Sequence, residues 1–287
     1  MTAITAPKPK GRTRPPSRAW TIARTDLRQL RQAKDFWLPL VIIASLFFVV
    51  IPGFLLLIIS HVSNIELAKQ LSNVVGALPT AIQKHVKGDS GPVQAAYALA
   101  VYLFAPLAIV VPLTVSSAVG ANTIIGERER GSGEFLAHSP ASEREIYIGK
   151  LLAALIPGYL TAFIGFGLYS LIVNLLVGPK VGGWFFPTTS WWLLILWVLP
   201  PFLAITLSVV LRLSARVKST AAAQQATGLV TLPLILIAYG QSTGALATGG
   251  AIVSLVIGAV AWLIAIVSLA TGVRSVRRGQ LLGVNDT

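Results

Sequence analysis

Apolar residues in this chain are gathered into long runs, and charged residues fall in the gaps between them. Six runs are predicted as transmembrane helices, at about residues 36–60, 93–125, 151–177, 191–211, 219–241 and 251–273, and none of them contains Asp, Glu, Lys or Arg. Each holds about 20 residues or more, enough at a rise of about 1.5 Å per residue to cross a hydrocarbon core of about 30 Å. The second run is too long for one perpendicular crossing, so it is expected to tilt, project from the membrane, or bend near Pro106 and Pro112. The pattern gives an all-α, polytopic membrane protein with six transmembrane helices.

Between the runs lie segments of mixed character. Residues 1–16, rich in Lys, Arg, Pro and Thr, read as a flexible basic tail that has no means of burying a core, ahead of a transmembrane domain over 17–287. Over residues 17–35, Trp20, Ala23, Leu27 and Leu30 keep an approximate helical period while Arg24, Arg28 and Arg31 occupy another face. This predicts an amphipathic interfacial helix with Trp20 at headgroup depth and the arginines towards anionic lipid or a cytosolic partner, or else a cytosolic extension of the first span. In the loop 61–92, Leu71, Val74, Val75, Leu78, Ile82 and Val86 recur at helical spacing, interrupted by Pro79. Two short amphipathic helices are expected there, as a gate over an exit pathway or as a plain connector.

Composition agrees: 54% of residues are hydrophobic and 11% charged, against a charged share of about 25% in soluble domains. The chain has no cysteine, and His61, His85 and His138 have no ligand-like spacing, so no metal centre is expected. Of the 23 Lys and Arg residues, only Lys69, Lys84, Lys87 and Lys180 fall in the gaps after spans one and three. The rest precede the first span or lie in the other gaps and the C-terminal tail, which by the positive-inside rule places both termini in the cytoplasm and the loop 61–92 outside. The net charge of +13 is mostly this asymmetry, dispersed over juxtamembrane segments, and does not point to nucleic acid.

The most polar interruption is the loop 126–150, GERERGSGEFLAHSPASEREIYIGK. Glu127, Arg128, Glu129 and Arg130 extend the second helix into water until Gly131, Ser132 and Gly133 break it. A short transverse amphipathic segment follows, with Glu134 at its positive end and Phe135, Leu136 and Ala137 as contact surface, followed by His138 and closed by Pro140. Ser142 and Glu145 then form a capping-box pattern for the next helix. A transverse piece held between two spans can transmit a push from a soluble partner.

On these residues the sequence resembles the ABC-2 type permeases, whose typical segment runs E-[KR]-E-[KR]-G-T-x-E-x-L, then P-x-S-R-x-E-[IL] and a closing G-K. The matching residues are Glu127 to Gly131, Glu134, Leu136, Pro140, Ser142, Glu145, Ile146, Gly149 and Lys150; Ser132, Gly133 and Glu143-Arg144 depart from the pattern. The resemblance implies a cytoplasmic coupling helix between spans two and three, formed by Glu127, Arg128, Glu129, Arg130, Gly131, Ser132, Glu134, Phe135, Leu136, His138 and Pro140. It implies an ATPase subunit in two copies, a second permease chain, identical or homologous, and a bacterial plasma membrane. ATP and Mg would belong to the ATPase, because this chain has no phosphate loop and no cofactor of its own.

Polar positions inside the spans are candidates for the pathway: Ser116, Asn122 and Thr123 in the second, and Thr220, Gln224, Thr227 and Thr231 as one stripe in the fifth. Close packing between helices explains the same small and hydroxylated residues. The spans contain no carboxylate for ion coupling and no nucleophile with a base, which weighs against secondary transport and against an intramembrane enzyme. Efflux of an amphipathic substrate such as a drug or lipid is the leading expectation, with a non-transporting scaffold or sensor subunit, or a secondary transporter, as its alternatives.

Overall fold

The computed structural model describes residues 17–60, 65–76, 78, 80–129, 139–214, 228 and 250–275. These residues form helices and connecting turns with no strand among them. The helices are α1 (Arg18–Gln32), α2 (Lys34–Ser60), α3 (Ile65–Gly76), α4 (Thr80–Gln83), α5 (Gly91–Ala98, continued by a π turn at Leu99–Leu103), α6 (Leu107–Glu129), α7 (Glu143–Leu176), α8 (Thr189–Ser214) and α9 (Gly250–Ser275). Among the described residues, five apolar stretches are long enough to cross a membrane: α2, Gly91–Gly126 (α5 with most of α6), Glu143–Lys180, α8, and Ile252–Val273 within α9. The expected fifth run, 219–241, lies outside the described residues apart from Gly228.

The overlong second run is broken where a proline demands it. Pro106 has no N–H to donate, and the chain turns between Phe104 and Pro106, whereas α6 continues through Pro112 without a break. Near this break the helical ladder loses its regular i to i−4 pairing. The Phe104 amide donates to Leu99 O at 3.0 Å and the Ala105 amide to Tyr102 O at 3.4 Å, passing over the carbonyls of Ala100 and Val101. Those two carbonyls are taken by side chains from other helices: Tyr169 Oη donates to Ala100 O at 2.6 Å and Trp191 Nε1 to Val101 O at 2.8 Å. In hydrocarbon an unmet carbonyl costs several kcal/mol, so these donors are what makes the broken helix tolerable.

The same two rings belong to an aromatic cluster that fills the bundle on the side away from the charged loop. Trp191 stacks on Phe166 and Tyr169 with ring centroids 5.9 and 5.4 Å apart, and Phe186 meets Trp191 edge-on at 4.9 Å. The turn after α7 is pinned there by the buried Asn174. Its Oδ1 accepts from the amides of Phe185 and Phe186 at 3.0 and 3.1 Å, and its Nδ2 donates to Phe186 O at 2.5 Å. Lys180 Nζ donates to Ser60 O and joins this turn to the end of α2.

Helices approach closely where glycine removes a side chain. A Cβ at Gly158 of α7 would fall on Ser116 Oγ of α6, one at Gly165 would lie 2.5 Å from the Phe48 ring of α2, and one at Gly120 would lie 3.0 Å from Leu207 of α8. The expected helical pair in the loop 61–92 is present as α3 and α4, on either side of Pro79. Val75 and Ile82 from this pair are buried, and Val75 packs with Ala95 and Ala98 of α5.

Candidate functional site

The charged loop springs from two stems, the end of α6 and the start of α7, and α1 packs on the second of them. Ser142 caps α7 through a complete capping box: Glu145 N donates to Ser142 Oγ at 3.3 Å and Ser142 N to Glu145 Oε2 at 2.8 Å. This turn precedes the apolar run that begins at Leu151. The backbone and side-chain hydrogen bonds from Ser142, with a smaller contribution from Arg18, hold the Glu145 carboxyl below the usual carboxylate range. Arg18 Nη1 donates to Pro140 O at 2.8 Å, which fastens the first turn of α1 to the loop just ahead of this cap.

Two turns further along α7, Gly149 and Lys150 explain the closing pair of the motif in physical terms. A Cβ on Gly149 would lie 2.8 Å from Ile22 Cβ and 2.9 Å from Ala19 O, so glycine lets α1 lie directly on α7. Lys150 has no exposed surface; its ammonium donates to Thr123 O of α6 at 2.6 Å and lies 3.8 Å from Asp26 Oδ2 of α1. One buried cation thus joins three elements. Beside it, Asp26, Gln29, Leu30, Asn122, Thr123 and Ala153 line a cavity of about 30 Å³, room for about two waters by volume.

Helix α1 docks on the bundle by a face that its apolar periodicity does not single out. Ala19, Ile22, Ala23 and Asp26 are buried, Leu27 is half-buried, and Trp20 is 44% exposed together with exposed Arg24, Arg28 and Arg31. Small residues at 19 and 23 permit the close crossing at Gly149, which a face led by Trp20 could not make. After Gln32 the helix breaks at Ala33, and Trp37 Nε1 of α2 donates back to Arg31 O at 3.2 Å. Helix α1 is therefore docked on the bundle, with its arginines and Trp20 facing outward.

The remaining expected residues divide into those that can be placed and those that cannot. Glu127, Arg128 and Glu129 form the last turn of α6; Arg130, Gly131, Ser132, Glu134, Phe135, Leu136 and His138 lie outside the described residues, and so does the transverse helix. Ser116 sits in the seam between α6 and α7, against Gly158. Asn122 and Thr123 line the small cavity, and Thr123 Oγ1 donates to Gly120 O within its own helix at 2.8 Å. Thr220, Gln224, Thr227 and Thr231 lie outside the described residues.

A second polar knot at the same face went unread in the sequence. Arg212 Nη2 donates to Ser208 Oγ at 2.7 Å, Ser268 Oγ at 3.0 Å and Thr271 Oγ1 at 3.2 Å, and also to Ser268 O. Tyr147 Oη of α7 donates to Ser208 Oγ at 3.1 Å, over Gly272 of α9. The guanidinium lies near the C-terminal ends of α8 and α9, whose partial negative charges favour a cation. Only Arg212 itself signalled this knot in the sequence, as a charge just past a span.

The described residues thus form a polytopic helical bundle with two cationic knots beside the charged loop, one buried at Lys150 and one half-buried at Arg212. A comparison with curated proteins returns no match. The sequence profile described as ABC-2 family transporter protein matches residues 20–252, from the docked helix α1 into the start of α9. With that span covering most of the 287 residues, the chain belongs to the ABC-2 family and is a multi-pass membrane permease of the ABC type.

Proposed function

We propose that this chain is the permease subunit of an ATP-binding cassette exporter, forming the translocation pathway for an amphipathic substrate while a separate ATPase subunit supplies the work. The observation that supports this reading best is the clamp at the root of the charged loop. Thr123 O, Lys150 and Asp26 join α6, α7 and α1, and Arg18 holds Pro140. A loop rooted in one such body passes a push to several spans, which a solvated connector would not do. Two ATPase copies, each using ATP and Mg, would press on the segment 127–138 of two paired permease chains, with both termini in the cytoplasm.

The test is purification of the intact complex through this chain from its own host membrane, followed by assay of ATP hydrolysis in lipid. A soluble partner with a phosphate loop should accompany the chain, and Glu134→Arg should lower hydrolysis without lowering membrane insertion. Purification as a lone chain indifferent to nucleotide would overturn the reading in favour of a scaffold. Hydrolysis unchanged by Glu134→Arg would move the contact away from the transverse segment.

A further inference from the structure

Among the described residues, three helices widen into π turns, at Leu46–Val50 in α2, Leu99–Leu103 in α5 and Leu194–Val198 in α8. Each stands just ahead of a proline: Pro52, Pro106 and Pro200. The cause is local. A proline ring crowds the carbonyl four residues back and offers no N–H, and a turn with one extra residue relieves the crowding. The three widened turns close on bonds from residue i to i−5: Ile51 to Leu46, Phe104 to Leu99, and Leu199 to Leu194.

What local chemistry does not require is that all three widened turns meet the same piece of a fourth helix. Tyr159 Oη of α7 donates to Ile195 O in the α8 turn at 3.3 Å. Gly165 of α7 receives the Phe48 ring from the α2 turn. Tyr169 Oη of α7 donates to Ala100 O in the α5 turn at 2.6 Å. Between Tyr159 and Tyr169, α7 is regular helix. The loosened carbonyls of α5 and α8 are therefore held by hydroxyls projecting from one unbroken helix.

We infer that Tyr159 to Tyr169 of α7 is a fulcrum, on which α2, α5–α6 and α8 flex at their π turns while the part of the bundle beyond it stays fixed. The fixed part is the aromatic cluster with Asn174 and Trp191. The moving part is the loop-side length of α2, α5–α6 and α8. Closing one π turn removes one residue from the helical path, about 1.5 Å of rise and about 100° of rotation, so a small change at the fulcrum re-aims a whole helical arm. Tyr159 and Tyr169 are positioning residues in this account: they hold the carbonyls that a π turn exposes and let go of them when it closes.

The inference rests on the proposed exporter function, and its test separates the two. The chain has no cysteine, so pairs of spin labels can be placed without removing any native thiol. One pair, Leu38→Cys with Arg144→Cys, reports α2 against α7 on the loop side of the fulcrum, and a second, Leu57→Cys with Leu175→Cys, reports the same two helices beyond it; all four positions are exposed. In the intact complex, adding ATP should change the first distance by about 1.5 Å or more, the rise of one helical residue, and leave the second unchanged. Tyr169→Phe, which keeps the ring and loses the donor, should alter the ATP-dependent distribution of the first pair at unchanged yield. Equal movement of both pairs, or no movement in a complex that hydrolyses ATP, would overturn the fulcrum alone. A complex with no nucleotide turnover would overturn the exporter reading and the fulcrum with it.

Discussion

The ammonium of Lys150 on α7 is enclosed completely, 3.8 Å from the carboxylate of Asp26 on α1, and donates to Thr123 O at 2.6 Å. Removing one charge from a buried pair strands the other, at a cost of about 3–5 kcal/mol, while replacing both with apolar groups is often near neutral. Lys150→Met or Asp26→Leu alone should therefore lower the thermal unfolding midpoint of the purified chain markedly, and the double substitution should recover most of the loss. Additive losses in the double variant would show that the two side chains act separately.

Gly158 and Ser116 give a sharper packing test. A methyl at 158 has no room beside Ser116 Oγ, so Gly158→Ala should destabilise the chain by about 1–3 kcal/mol through overpacking. Adding Ser116→Gly should restore much of that stability. A double-mutant cycle in detergent reads the coupling directly, and a coupling near zero would mean that α6 and α7 separate more readily than their contact indicates.

Trp191 holds a carbonyl that the break at Pro106 leaves over. Trp191→Phe keeps much of the aromatic packing but strips the donor from Val101 O, at a cost of about 1–3 kcal/mol for a buried unmet group. Hydrogen exchange followed by mass spectrometry should show faster exchange in Leu99–Ala105 with little change in α9. Uniform acceleration across the chain would instead indicate global destabilisation.

At the capping box, Ser142 hydrogen bonds hold the Glu145 carboxyl below its ordinary range. For a depressed carboxyl, the stabilisation is complete above the ordinary carboxylate range and is lost as pH falls through the depressed value. Ser142→Ala should cost about 0.5–2 kcal/mol at neutral pH, typical of an N-cap, and should flatten this acid-side loss. Thermal midpoints of the two proteins measured from neutral to acid pH check this, and parallel curves would refute it.

Much of the bundle was readable from the chain because it follows from two simple costs, of charge in hydrocarbon and of proline in a helix. The break at Pro106, the cap at Ser142 and the helix pair around Pro79 came from such local rules. Asp26 and Lys150 did not, because each reads in sequence as one more charge beside a membrane span, and only the packing of α1 on Gly149 brings them together. The docking of α1 on the bundle was not legible for a related reason: Trp20 dominates any hydrophobic periodicity, but small Ala19 and Ala23 decide how near the helix can come. Likewise Ser116 has two readings in sequence, pathway lining and close packing, and in the structure it meets Gly158. Prolines announce where a helix must widen, but not which neighbour will answer the carbonyls set loose.

Arg212 gives α8 and α9 a common foot. Its guanidinium satisfies oxygens on both helices at once, at Ser208, Ser268 and Thr271, so neither can slide along its axis without breaking the bonds of the other. The two behave as a single plank at that end, and Tyr147 nails the plank to α7 through Ser208. A displacement at the start of α7 would therefore reach the two helices together.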